Sequence, residues 1–455
     1  MTSRVAAYLE AHAPRFAREL AEMVAFPSVS SSPAARPHLA ACARWVARQL
    51  GRLGARDARV IATAGHPVVV GRIGRDPRRR TVLINGHYDV QPAGPASAWR
   101  TPPFAPVVRD GWLYGRGASD DKGQLFAHLK AIEMVRALTG RLPVNLVFVI
   151  EGEEEIGSPS LPDLLSRLES YLTANAAVVS DNAILGPGRP SITYALRGDL
   201  YLDVEVSGPY PDLHSGNFGG AVQNALRVLI GALARLHGPG GAPAVPGFTD
   251  DVVAERPAER AFMQAAGPSD RELRAEAGRR PLAGNRAFSG YERATIRPSI
   301  EVAGLIGGYT GPGVQGVIPA RAEAKLDIRL VPDQCPDRVH RAVFDHLARA
   351  VPRGLELRTR ERMRAAPVVL DRNHPVARAA VRAYRRGFAA EPVFVRAGGS
   401  IPVVSALTER LGIPTVLMGF ALPDDHPHGA DERYSLAMLG KAIATSAAFL
   451  EEMAR

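Results

Sequence analysis

The chain has 455 residues, 46% of them hydrophobic and 22% charged, which leaves room for two or three cores and excludes a disordered or fibrous protein. Its formal net charge of +10 rests almost wholly on arginine spread along the sequence, with lysine only at Lys122, Lys130, Lys325 and Lys441, so nucleic acid is not expected as a partner. No run approaches the roughly 18 apolar residues of a membrane span, no apolar leader opens the chain, and Cys42 and Cys335 stand far apart without metal-binding spacing; a cytoplasmic protein with no membrane partner is expected.

Apolar residues at helical spacing (Leu9, Phe16, Leu20, Met23) predict a helix over residues 5–26, ended by Pro27, and a second over 37–53. Short β-like runs at 59–61 and 68–70 follow, with Arg75 and Arg78 to Arg80 as a solvated turn. They lead to a β-branched run from Thr81 that ends in His87-Tyr88-Asp89. Side chains alternate along a strand, so His87 and Asp89 share a face, and a carboxylate beside an imidazole is the usual device for fixing the tautomer of a metal-binding histidine.

After a proline-rich loop (92–106), a glycine-rich approach ends in Asp120-Asp121 and opens a helix with the stripe Leu125, Leu129, Ile132, Val135, Leu138. One aspartate suffices as a helix cap, so the pair exceeds that need. A strand over 144–150 then runs into Glu151, Glu153, Glu154 and Glu155. Four carboxylates so close repel one another, and a divalent cation would offset the repulsion; Glu151 and Glu153 are the two expected to be merely solvated. A helix over 161–172 precedes a strand over 176–179 that ends in Ser180-Asp181. Strands alternating with helices, each strand delivering a polar group at its C-terminal end, predict a doubly wound α/β domain with its site outside those ends. His87, Asp120, the glutamates and Asp181 should converge there.

From residue 199 to 363 the pattern changes. Alternation at 201–206, an amphipathic helix over 226–236, and strands at 300–302 and 324–330 predict a smaller inserted α+β domain, with surface stretches at 238–248 and 251–280. The interrupted catalytic domain would comprise 1–198 and 364–455. In its second part stand a helix over 376–388, the loop 396–402, a strand at 415–418, and a terminal cluster in which His426 or His428 precedes Asp431-Glu432.

The stretches GHYDVQP, GRGASDDKG, EGEEEIGS, VSDNAILG, DLHSG, IRLVP, GGSIP and HGADE, taken together and in this order, resemble the dinuclear metallopeptidases that include cytosolic nonspecific dipeptidase, carnosinase, acetylornithine deacetylase, succinyl-diaminopimelate desuccinylase and glutamate carboxypeptidase. The resemblance covers nearly the whole chain and is closest to the dipeptidase and carnosinase branch. It implies two divalent metal ions per subunit, zinc first with manganese or cobalt as alternatives, with Asp120 bridging them, His87 and Asp181 completing one site, and Glu155 and His428 the other. It makes Glu154 the general base, Asp89 the holder of His87, and His214 an oxyanion-stabilising lid histidine that in the family often comes from the partner of a homodimer. Arg329, Gly399 and Ser400 resemble the pocket for the substrate's terminal carboxylate. The implied activity is hydrolysis of the amide bond of dipeptides or similar small substrates with a free carboxylate, by a water bridging the two ions. The alternatives are an N-acyl amino acid deacylase or desuccinylase with the same centre, and a non-catalytic binding protein of the same fold. One departure stands out: Gly316 replaces the threonine typical of the dipeptidases before Val-Ile-Pro, which removes a hydroxyl from the expected substrate pocket.

Overall fold

The strands that read as unbroken apolar sequence, Thr81–His87 and Asn145–Glu151, are buried along nearly their whole length, as parallel strands are when helices cover both faces of their sheet. The computed structural model describes residues 3–455 and divides into two compact units. One comprises the chain up to Tyr194 with Leu370–Val395 and Ile401–Arg455; the other comprises Ala195–Val369 with Arg396–Ser400.

In the first unit the strands lie in the order Arg59–Ile61, Val68–Ile73, Asn145–Glu151, Thr81–His87, Ala176–Val179, Thr415–Leu417, Ser191–Leu196. The four from Asn145–Glu151 to Thr415–Leu417 run parallel to their neighbours, while Val68–Ile73 and Ser191–Leu196 flank them antiparallel. The sheet is therefore mixed, and the fold is α/β. Register positions the site. His87 pairs with Glu151, and Asn85 with Val179, so two residues further on His87 comes level with Asp181.

Helices Ser3–Val24, Arg36–Arg52, Lys122–Thr139, Pro375–Phe388 and Leu436–Met453 supply most of the remaining core. The last of these packs against both Lys122–Thr139 and Pro375–Phe388. It went unread in the sequence because it is apolar nearly all round, with Leu439, Ala444, Ala448 and Phe449 buried on different faces, so no stripe announces it.

The second unit has an antiparallel sheet in the order Ser299–Gly307, Arg321–Leu330, Gly198–Ser207, Glu356–Ala365. Leu200, Leu202, Val204 and Val206 face a core with Leu326 and Ile328, closed by Leu229 of helix Ala225–Leu233 and Val343 of helix Pro336–Ala348. Alternate residues stay polar, the period-2 pattern of a sheet covered on one side. The stretch expected as bare surface at 251–280 contains two helices, Pro257–Ala266 and the capped Asp270–Glu276. Among the described residues no helix is long and apolar enough to cross a membrane.

Candidate metal centre

Asp89 is the hub around which the first unit's strand ends are set. Its carboxylate, fully buried, accepts the main-chain N–H of Glu154 (3.2 Å) on one oxygen and that of Glu155 (3.1 Å) on the other. His87 Nδ1 lies 3.1 Å from the Asp89 carbonyl oxygen and 3.4 Å from its Oδ1. Both neighbours are acceptors, so they favour the proton on Nδ1 and leave Nε2 as a lone-pair donor.

Among the described residues that buried Nε2 has no hydrogen-bond partner. It faces Asp120 Oδ1 at 3.2 Å and Asp181 Oδ2 at 3.8 Å. On the other side of Asp120, Oδ2 lies 2.9 Å from His428 Nε2, which is also 3.1 Å from Glu155 Oε2. His87, Asp120 and Asp181 thus form one cation-sized cluster of donor atoms, and Asp120, Glu155 and His428 a second that shares Asp120. His426 is exposed and belongs to neither.

The electrostatics match the geometry. Burial, then the nearby Asp181 carboxylate, pushes Glu154 well above the usual carboxylate range, and burial with Asp120 brings Glu155 up to about 7. Asp181 is raised by burial and by Asp120. His428, against Asp120 and Glu155, is pushed up to about 11. For His87 burial opposes the charge, but Asp120, Asp181 and Asp89 outweigh it and raise it well above the imidazole range. Four carboxylates and two imidazoles are crowded together with no lysine or arginine among them. An orphaned Nε2 and two shared donor clusters fit a pair of divalent ions with nitrogen and oxygen ligands.

Several expectations need correction. Glu151 and Glu153 are not solvated but buried, each 2% exposed. Glu151 accepts from the Ser158 hydroxyl, and Glu153 from the N–H groups of His66 (2.7 Å) and Ser160 (3.0 Å). Asp121 does not cap its helix through its side chain; its Oδ2 accepts the N–H of His87 at 3.2 Å. Gln91, unremarked in the sequence, donates to Glu155 Oε2 at 2.8 Å.

The largest omission is Glu432. Fully buried, it accepts from the N–H groups of Gly117 (2.8 Å), Ser119 (2.9 Å) and Asp120 (3.0 Å), and from Arg116 (2.6 Å), so it holds the loop that presents Asp120. Arg116 in turn donates to the Gly429 carbonyl at 2.9 Å, beside His428. The only sequence signal was a glutamate closing the HGADE stretch.

The remaining candidates lie in the second unit. His214 is exposed, and its Nδ1 accepts the Gly216 N–H at 3.0 Å. A Cβ at Gly316 would come within 2.8 Å of the Ser215 hydroxyl, so that hydroxyl fills space the absent side chain would need. Arg329 is held by Asp327, by Asp199 at 3.1 Å, and by Ser400 Oγ at 3.4 Å; Gly399 beside it is exposed.

Comparison with known proteins agrees with the geometry. The family model for peptidase family M20/M25/M40 matches residues 83–452. The chain is 32% identical over 462 residues to the Cys-Gly metallodipeptidase dug1 of Schizosaccharomyces pombe, across 96% of this chain and 95% of that protein. It is 32% identical over 476 residues to the beta-Ala-His dipeptidase of Homo sapiens, across 100% and 93%. The solved structure of the di-peptidase Dug1p from Saccharomyces cerevisiae matches with a TM-score of 0.91 at 30% identity, over 99% of this chain and 98% of that one.

Proposed function

Since the chain belongs to peptidase family M20/M25/M40, we propose that it is a metal-dependent dipeptidase, cleaving the amide bond of dipeptides or similar small substrates that carry a free carboxylate. The observation that carries this reading is the pair of donor clusters sharing Asp120. His87, Asp120 and Asp181 would hold one divalent ion, and Asp120, Glu155 and His428 the other, with zinc first and manganese or cobalt as alternatives. Bound there, the ions supply positive charge that polarises the scissile carbonyl and lowers the pKa of a water.

The chain's own residues do the rest. The Glu154 carboxylate takes the proton of the attacking water on one oxygen and passes it to the leaving nitrogen. Asp89 holds His87 in the tautomer that frees Nε2, and by anchoring the N–H groups of Glu154 and Glu155 it fixes base and ligand together. Arg329, with Ser400 and the Gly399 main chain, receives the substrate's terminal carboxylate, and Asp327 and Asp199 keep its planar fork oriented. His214 stabilises the oxyanion, contributed across a homodimer by the partner's inserted domain, which is both lid and dimerisation domain. A cytoplasmic location accords with two free cysteines, one of them buried.

The deciding experiment measures metal content and hydrolysis together, over dipeptides, β-alanyl dipeptides and N-acyl amino acids. Two ions per chain with turnover of dipeptides is the expected result. Turnover confined to acyl amino acids would replace dipeptidase by deacylase, and two bound ions with no turnover would leave a binding protein.

A further inference from the structure

The second unit contains a cavity of about 560 Å³ lined in part by Arg197, Arg293 and Arg297. Six arginines of this unit are at least partly shielded from solvent: these three, Arg260, Arg329 and Arg396. Arg260 pairs with Glu292, Arg329 with Asp199 and Asp327, and Arg396 with Glu255 and Glu259. Among the described residues the other three form an ion pair with no carboxylate, and all three line the cavity. The only acid in its lining is the exposed Glu301.

The three are held in place by neutral groups. Arg197 donates to the Gly398 carbonyl (2.8 Å) and to the Arg297 carbonyl and Ser299 hydroxyl (both 3.3 Å). Arg293 donates to the carbonyls of Asn285 (3.1 Å) and Phe288 (2.6 Å), and the Arg297 guanidinium rests on the Phe288 ring, 5.0 Å from its centroid. These contacts fix direction without neutralising charge. Burial and the nearby Arg329 push Arg197 down to about 10, so it remains a cation at neutral pH but in surroundings that disfavour its charge.

We propose that this cavity binds a small organic anion whose carboxylate or phosphate group is held by Arg197, Arg293 and Arg297. Planar guanidinium donors suit both head groups. The volume is in the range of small-molecule sites and exceeds what a bare inorganic ion fills, while Leu282, Pro243 and Phe288 offer apolar surface to the ligand's carbon body. The site takes its residues from one unit and stands independently of the peptidase reading.

The test is calorimetric titration of the full-length, metal-loaded protein with succinate and with phenyl phosphate, with glycerol as the neutral control. A saturable site that persists in Arg329→Met, apart from any binding in the Arg329 pocket, is expected for at least one anion, weakened about tenfold or more in Arg297→Gln. A preference for succinate or for phenyl phosphate assigns the head group. Arg293→Gln should behave like Arg297→Gln, but Arg293 braces two carbonyls; Arg297→Gln, which removes no main-chain support, keeps the test valid if that variant misfolds. No saturable binding of either anion, wild-type affinity in Arg297→Gln, or loss of binding in Arg329→Met would each overturn the proposal, the last by moving the anion to the Arg329 pocket.

Discussion

Asp203 on the sheet of the inserted unit and the carboxylates at the strand ends of the first unit are treated in opposite ways. On the sheet of the inserted unit Asp203 is met by Lys325 and Arg362, which outweigh its burial and hold it below the ordinary range. In the first unit Asp120, Glu154, Glu155 and Asp181 are brought together with only two imidazoles between them, and three of the four are pushed upward. Fold stability does not favour buried like charges. Where side-chain cations are withheld from a buried acidic cluster, a divalent ion would supply the missing charge, and this contrast points to the proposed metal centre without reference to any motif.

Removing the shared carboxylate tests that contrast most severely. Asp120→Ala should lose both ions and all activity, whereas His87→Ala or His428→Ala should mainly weaken one; metal analysis of purified variants decides, and equal loss in all three would indicate a single-ion site. Glu154→Ala should keep both ions yet lose roughly two to four orders of magnitude in rate. Glu153→Ala is its control: with Glu153 accepting two main-chain N–H groups in the interior, that change should lower the melting temperature, and if it alone abolished turnover the base would be misassigned by one residue.

His214→Ala should cost about two to three orders of magnitude in kcat. If the residue serves a partner's site, mixing inactive His214→Ala and Glu154→Ala chains under subunit exchange should restore about a quarter of wild-type activity, since half the dimers are mixed and half their sites intact. Absence of recovery with exchange demonstrated would place His214 within its own chain's site or outside catalysis. Arg329→Met should raise KM by about tenfold to a hundredfold, and amidating the substrate's C-terminus should mimic it; full activity on amidated dipeptides would remove Arg329 from substrate binding.

A change in stability rather than in activity sharpens the comparison within one unit. His428, beside two carboxylates, is raised, whereas His128, buried with the Ser180 hydroxyl at 2.7 Å, is pushed by burial down to about 4. Its folded pKa lies below the unfolded value near 6.5, so the unfolded chain takes the proton first and stability falls as pH drops from about 6.5 toward 4, by roughly 3 kcal/mol over that interval. Urea melts of wild type and His128→Gln at pH 7.5 and 4.5 should show the variant losing less stability on acidification; parallel losses would contradict it.

Much of the centre was legible because parallel strands end in register: a polar residue at each C-terminal end is sufficient to predict convergence of His87, the glutamates and Asp181. What escaped was support running between distant segments. Gln91, Arg116 and Glu432 carry no periodic signal, and their partners become visible only when the chain is folded. Glu151 and Glu153 were misjudged because charge density suggests solvent, whereas Glu153 ties down the main chain at His66 and Ser160 and Glu151 holds the Ser158 hydroxyl. The strand Ser191–Leu196 was missed because serine, threonine and tyrosine interrupt its apolar residues although all six are buried.

The Glu432 cradle also bears on how the protein is made. The loop that presents Asp120 leaves the ribosome first, and the carboxylate that seats it follows 312 residues later. At roughly 5–20 residues per second, that is a wait of about 15 to 60 seconds. For most of that interval, once Asp181 has followed, the nascent chain carries His87, Asp120, Glu155 and Asp181 without Glu432 or His428. The stretch from His428 to Glu432 would therefore act as a latch on metal capture, and a message truncated just before it would yield a chain with most of its proposed ligands and an unfinished site.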